Sequence, residues 1–219
     1  MSKKVAVVHT GPVTVDPIKK TFASIAPELD IVNIVDDSLL KDAMAVGHVT
    51  PQVIQRMCWY FGAAEQLGAD VVLNACSTVG EASDIAAQTI GIPVVKVDEA
   101  MAREASRIGE HIALIATVPT TVGPSTRLIE KCAKDLGKHA KVKSTLCSSA
   151  FELLLKGDKD GHDRAVIGEI TKAAKEADVV VLAQVSMARL LDSVDGTLPV
   201  PVLASLTLGV KDVVSLLKH

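Results

Sequence analysis

The sequence predicts an α/β protein of two pseudo-symmetric lobes, each a parallel sheet flanked by helices and both descended from one duplicated unit. Three observations carry that reading. Short β-branched runs alternate with longer amphipathic ones along the whole chain. The stretch "TGPVTVDP" at 10–17 returns as "TVPTTVGP" at 117–124. The strand-like "ADVVLNAC" at 69–76 returns as "ADVVVLAQ" at 177–184.

Taken in order, the apolar runs predict strands at Val5–His9, Asp30–Val35, Val71–Ala75, Val94–Val95, Ile112–Ala116, Lys141–Thr145, Val179–Ala183 and Val202–Leu203. Most are short and rich in Val, Ile or Leu, as strands covered on both faces are, while Lys141–Thr145 alternates polar residues with a single Val. The amphipathic stretches between them predict helices over about 17–26, 51–67, 81–90, 98–108, 124–136, 149–156, 163–176, 186–192 and 208–217. Pro17 and Pro124 stand where a proline can open a helix.

The duplication rests on a nearly constant offset. At 107 residues, Thr10, Pro12, Thr14, Val15 and Pro17 fall on Thr117, Pro119, Thr121, Val122 and Pro124. At 108, "ADVVLNAC" falls on "ADVVVLAQ" and "GIPVV" (91–95) on "PVPVL" (199–203). Three matches in the same order make a repeated βαβ unit the better explanation than reuse of generic strands. The predicted lobes are 1–97 with 206–219, and 98–205. Ligands of open parallel sheets lie beyond the carboxyl ends of the strands, so the expected site is a cleft where those ends of the two lobes face each other.

Bulk properties narrow the function. The chain has 219 residues, 48% of them hydrophobic, enough for two compact cores. A formal charge of −3 and 2% aromatics predict neither a nucleic-acid partner nor an anionic membrane surface. No apolar run reaches roughly 18 residues, and "MSKKVAVVHTGP" lacks a signal peptide's apolar core, so the expectation is a cytoplasmic protein. Cys58, Cys76, Cys132 and Cys147 show no CxxC spacing, which predicts neither a zinc site nor a disulfide framework. Neither GxGxxG nor GxxxxGK[ST] follows a strand, and no nucleotide or flavin is expected.

Cys76 ends a strand and precedes Ser77, Thr78 and Gly80 at a helix start. There the helix N-terminus is expected to lower the thiol pKa, while free N–H groups hold a carboxylate. Cys76 is thus a candidate base, acid or nucleophile, with an inert buried cysteine as the alternative. Cys58 and Cys132 fall inside helical patterns; Cys147 follows a strand and precedes a helix.

"VVLNACSTVGEASD", "IPVVKVDEAM", "ADVVVLAQVSMARL" and the duplicated halves resemble the aspartate/glutamate/hydantoin racemase superfamily over essentially the whole chain. The resemblance implies flavodoxin-like lobes, no cofactor, no metal and a homodimer. It also implies a mechanism in which one cysteine from each lobe flanks the acidic carbon, one taking the proton and the other returning it. Single-thiol members include arylmalonate decarboxylases, and maleate isomerases use a thiol as nucleophile. Here Cys76 fills the first cysteine position. The second is Gln184, with Ser186 two residues on. Glutamine has no acid–base chemistry near neutral pH, and a serine needs an activating base.

The repeat nominates Thr10, Thr14, Thr117, Thr120 and Thr121 as hydroxyl donors to a substrate carboxylate. Asn74, Ser77, Thr78 and Gln184 join them as substrate contacts, each having a turn or capping role as its alternative. Ser186 is the second catalytic candidate beside Cys76. His48, after the second strand, is a further candidate. His9 has Ala116 as its counterpart, which argues against a shared chemical role. His162 reads as a surface helix start, Asp98 and Glu99 as a helix opening, and Arg189 as an exposed cation or an acid's partner. The function expected is a cofactor-independent racemase, isomerase or decarboxylase acting on a small carboxylic acid or amino acid derivative. The rival is a noncatalytic two-lobed carboxylate sensor.

Overall fold

The computed structural model describes residues 2–194 and 196–218. The chain divides into two compact units, Met1–Ala100 with Leu206–His219, and Met101–Ser205.

In unit 1, β1 (Lys4–His9) leads through a 3-10 turn at Pro12–Thr14 into α1 (Val15–Ile25), then β2 (Asp30–Val35), α2 (Ser38–Val46) and α3 (Pro51–Gln66). There follow β3 (Val71–Asn74), α4 (Gly80–Ala86), β4 (Val94–Lys96) and α5 (Glu99–Ile108), which carries the chain across the unit boundary. Unit 2 repeats the plan with β5 (His111–Ala116), α6 (Pro119–Asp135), β6 (Lys141–Leu146), α7 (Ser148–Leu155), α8 (Lys159–Ala173), β7 (Val179–Leu182), α9 (Leu191–Val194) and β8 (Val202–Ala204). Finally α10 (Ser205–Leu217) returns to unit 1.

The two sheets have the same order, β2-β1-β3-β4 and β6-β5-β7-β8, and every pair is parallel. Registers match as well: Val5 pairs with Val71 as Ile112 does with Val179, and Val72 pairs with Val94 as Val180 does with Val202. Those pairs keep the 107 and 108 offsets read from the sequence. The duplication is therefore structural, and Thr10 corresponds to Thr117 and Cys76 to Gln184. Central strands β1, β3, β5 and β7 are apolar and buried, while the edge strands β2 and β6 keep exposed polar residues.

The helices follow from local chemistry. Thr50 caps α3 by accepting the Val53 N–H at 3.3 Å, and Pro51 fills the first helical position. Val53, Met57 and Phe61 then bury one stripe against Ala6, Val8 and Val72. Each such large side chain contributes about 1.5–3 kcal/mol on leaving water. Helix α10 closes on unit 1 at Gly209, where any Cβ would stand 2.4 Å from the Val97 carbonyl oxygen.

Several elements differ from expectation: α8 opens at Lys159 rather than 163, α4 ends at Ala86 rather than 90, and α10 opens at Ser205 rather than 208. Pattern reading did not find α2, a short helix that ends at Gly47 in the left-handed region (φ 80°). Pro119, not Pro124, opens α6, because Pro124 lies inside the helix. The stretch 186–192 is a 3-10 segment, Val185–Leu190, running into α9. Among the described residues no helix is long and apolar enough to cross a membrane.

Candidate active site

In unit 1 the carboxyl edge of the sheet is locked in place by backbone bonds. Ala75 N–H donates to the Val8 carbonyl at 2.9 Å, and Val97 N–H to that of Asn74 at 3.0 Å. The buried Asn74 side chain then shapes the turn. Its Nδ2 donates to the Cys76 carbonyl at 3.0 Å, and its Oδ1 accepts the Cys76 N–H at 3.4 Å. Both ends of that amide serve the loop. Cys76 has extended backbone (φ −145°, ψ 121°), and a single 3-10 turn, Ser77–Val79, separates it from α4.

The part-buried Cys76 thiol meets the Thr10 hydroxyl, the Thr78 hydroxyl, and the N–H groups of Thr78 and Val79. Hydrogen bonds from such donors favour the thiolate. Burial nevertheless dominates and pushes the thiol up from its ordinary value. The expected lowering is thus corrected: one short turn supplies too few aligned dipoles to offset desolvation.

Around the thiol, Thr10, Ser77 and Thr78 are buried. Thr14 is committed elsewhere: its hydroxyl lies 2.7 Å from Nδ1 of the fully buried His9, whose Nε2 is 2.9 Å from Asn33 Oδ1. With Oδ1 assigned to that contact, Nε2 carries the proton and Nδ1 accepts from Thr14. Burial holds the His9 imidazole below its ordinary value. Ser77 hydrogen-bonds Asp98, a carboxyl at the end of β4 that is 3% exposed. Burial pushes Asp98 up, and its Oδ1 has no partner among the described residues.

Unit 2 builds the same edge with different chemistry. Ala183 N–H donates to the Ile115 carbonyl at 3.0 Å, repeating the bond from Ala75 to Val8. Next comes Gln184, extended like Cys76 (φ −119°, ψ 143°). Its Oε1 accepts from the Thr117 N–H at 3.1 Å and the Thr117 hydroxyl at 3.4 Å. Its Nε2 is buried and unpartnered among the described residues. Thr10 therefore meets Cys76 as Thr117 meets Gln184, one contact written twice. Thr121 is buried and Thr120 half-buried in the first turn of α6.

Ser186 is half-buried, and its carbonyl accepts from the Arg189 guanidinium. Arg189 also pairs with Asp163 and is not an exposed cation. His162 corrects the surface assignment. It is fully buried, because it stands one helical stripe position before Val166 and Ile170 on α8. That i, i+4, i+8 spacing was the available signal. His48 lies exposed between α2 and α3, with Nδ1 3.0 Å from the Val46 carbonyl.

Cys58 packs on the unit 1 core and Cys132 is buried in α6. Cys147 is buried at the start of α7, where burial pushes its thiol up. A cavity of about 580 Å³ in unit 2 lies along β5 and β6 beside α8, lined among others by His111, Ala113, Lys143, Thr145, Glu169 and Lys172. Gln184 is not among its lining residues. Among the described residues no group of three or more His, Cys, Asp or Glu could hold a metal ion.

Solved structures share this fold. Glutamate racemase from Francisella tularensis, in complex with D-glutamate, superposes with a TM-score of 0.73 at 17% identity, over 99% of this chain and 81% of that one. Allantoin racemase from Klebsiella pneumoniae gives 0.72 at 19% identity, over 99% and 88%. An aspartate racemase homologue from Pyrococcus horikoshii gives 0.70 at 18% identity, over 99% and 100%. No curated protein matches by sequence. The family model for Asp/Glu/hydantoin racemases matches residues 14–213. With its two matching sheets and its paired edges at Cys76 and Gln184, the chain belongs to the Asp/Glu/hydantoin racemase family, a family of isomerases.

Proposed function

We propose that this protein acts on a small carboxylic acid by one-thiol chemistry, with Cys76 as its sole proton-transfer group and Gln184 as a fixed hydrogen-bond donor. The observation that carries this reading is the mirrored contact: Thr10 on Cys76 in unit 1, Thr117 on Gln184 in unit 2. Cys76 as thiolate removes the proton on the acidic carbon. The resulting negative charge spreads onto the substrate's carboxylate or carbonyl oxygen, which accepts from Gln184 Nε2. The Cys76 thiol then returns the proton to the same face. In the decarboxylating variant, carbon dioxide leaves and the carbanion takes the Cys76 proton. The first route returns the substrate with only its hydrogen exchanged against solvent. The second leaves a Cys76 thiolate that takes a proton from water before the next turnover. Neither draws on a cofactor.

Ser77, Thr78 and the N–H groups of their turn supply further donors to the carboxylate, with Thr10, Thr117, Thr120, Thr121 and Ser186 around them. In this proposal the carboxyl-edge loops of both units act on one substrate, as the family pattern implies, in a cytoplasmic homodimer. Sedimentation at micromolar concentration tests the dimer.

The deciding experiment follows α-deuterium uptake and chirality of candidate acids in deuterated water. Uptake with retained configuration, or stereospecific labelling of a decarboxylated product, supports a single working face. Full racemisation at the rate of exchange overturns it. A second reading, a carboxylate sensor, is favoured by the upward push on the thiol, which keeps Cys76 protonated near neutral pH. Slow alkylation of Cys76 with unimpaired carboxylate binding and no exchange would decide for it.

A further inference from the structure

Unit 2 holds a polar network that joins α8 to the segment after Gln184. His162 Nδ1 lies 2.7 Å from Asp163 Oδ1 and 3.2 Å from the Arg189 guanidinium. The shorter contact assigns the proton to Nδ1, because a bare lone pair facing a carboxylate at that distance is repulsive. Nε2 is left buried and unpartnered among the described residues, as is Arg189 Nε. Arg189 forks between the Asp163 carboxylate and the Ser186 carbonyl. One guanidinium thus ties the start of α8 to the 3-10 segment Val185–Leu190, directly after Gln184.

The duplication supplies an internal control. The capping residues Thr50 of α3 and Asp158 of α8 stand 108 apart, the offset of the strands that follow. At that offset His162 and Asp163 replace Ile54 and Gln55, and Arg189 takes the position of Glu81. Ile54 packs on an apolar cluster, so the architecture is built without a buried histidine there. An ion pair that is only 24–29% exposed, with two orphaned nitrogens, contributes little net stability after desolvation. Packing alone does not account for it.

We propose that His162, Asp163 and Arg189 are positioning residues for the Gln184 half-site. Asp163 orients the Arg189 guanidinium, with His162 seated behind it. Arg189 grips the Ser186 carbonyl and fixes the segment that follows Gln184, so that Nε2 of that amide stays presented to an oxygen of an anionic ligand. The proposal rests on the reading of Gln184 as a carboxylate contact.

Malonate is the probe, and the readout is the ¹⁵N–¹H side-chain amide signal of Gln184, assigned by its loss in Gln184→Glu. In the wild-type protein malonate should shift that signal saturably. Asp163→Asn and Arg189→Met should weaken the malonate Kd by about tenfold to a hundredfold while the melting transition stays cooperative. Arg189→Lys, which keeps the charge but loses the fork, should fall between them. Asp163→Asn should also move the ring ¹⁵N shifts of His162 away from the Nδ1–H form. Unchanged malonate affinity in folded Asp163→Asn and Arg189→Lys overturns the proposal. A wild-type Gln184 amide that ignores malonate overturns the underlying reading, and the proposal with it.

Discussion

Thr117 holds Gln184 by two donors at once, its backbone N–H at 3.1 Å and its hydroxyl at 3.4 Å, both on Oε1. That double grip fixes which end of the amide is presented. It leaves an N–H donor where the other half of the molecule presents a thiol, and the predictions below follow from that asymmetry.

Replacing Gln184 by cysteine puts a thiol after β7 as Cys76 puts one after β3. On the proposed mechanism this second thiol would deliver a proton to the face opposite Cys76. Gln184→Cys should raise racemisation of an exchanging acid by about 10²-fold or more. Chiral chromatography of the recovered acid measures it. A variant that exchanges but never racemises would show that the position does not face the reacting carbon.

Cys76→Ser should fold and lose exchange or turnover by about 10²–10⁴-fold, since an alcohol is a far weaker base at neutral pH. Cys132→Ser, buried in α6, should keep its activity while losing about 1–3 kcal/mol of stability, because a hydroxyl replaces a buried thiol. Initial rates and thermal melts check both.

The upward push on the Cys76 thiol has a pH signature. Its rate of alkylation by iodoacetamide should rise with pH and reach its midpoint above that of an unhindered thiol. If activity requires the thiolate, the pH–rate profile should climb along the same curve. A midpoint below that of ordinary cysteine would remove desolvation as the dominant influence.

Asp98 offers a stability test of the opposite kind. Its folded-state pKa is raised, so the unfolded state loses this proton more readily, and the group destabilises the fold as pH rises above about 3.9, the ordinary aspartate value. Asp98→Asn should therefore be more stable than wild type at pH 7, with the gain shrinking as pH falls toward 4. Urea midpoints at several pH values measure it. A loss at pH 7 that persists at pH 4 would mean that the carboxyl's hydrogen bond with Ser77 outweighs its desolvation.

Most of the scaffold was legible because its signals are local. Seven of the eight strands are largely apolar runs, the exception being the edge strand β6 ("KVKSTL"), and the offset between "KVAVVH" and "HIALIA" survives as sheet register. Helix α2 escaped notice because "SLLKDAMAV" is barely two turns long and buries only Leu39 and Ala43. In α6 the proline at 124 mimics an opening, yet it is the sixth residue of a helix that starts at Pro119, and the helix forgoes one backbone hydrogen bond to keep it.

The site was legible in position more than in energetics. Spacing brings Cys76, Thr10, Gln184 and Thr117 to corresponding strand ends, but no spacing weighs burial against hydrogen bonds, and the thiol's shift came out reversed. Thr14 looked like a donor until His9, 2.7 Å away, was found to occupy its hydroxyl. The Asp163–Arg189 pair joins residues 26 apart and leaves no mark in local pattern.

The return of α10 to unit 1 bears on how the protein is made. Gly209 must press against Val97, yet a ribosome emits the whole of unit 2 between those two residues. The first unit to be synthesised is therefore the last to be completed, and its apolar cradle waits open while the second folds. Nascent chains arrested before Ser205 should expose that cradle to chaperones, and stalled translation near the 3′ end of the message should be costlier to this fold than a pause at its middle.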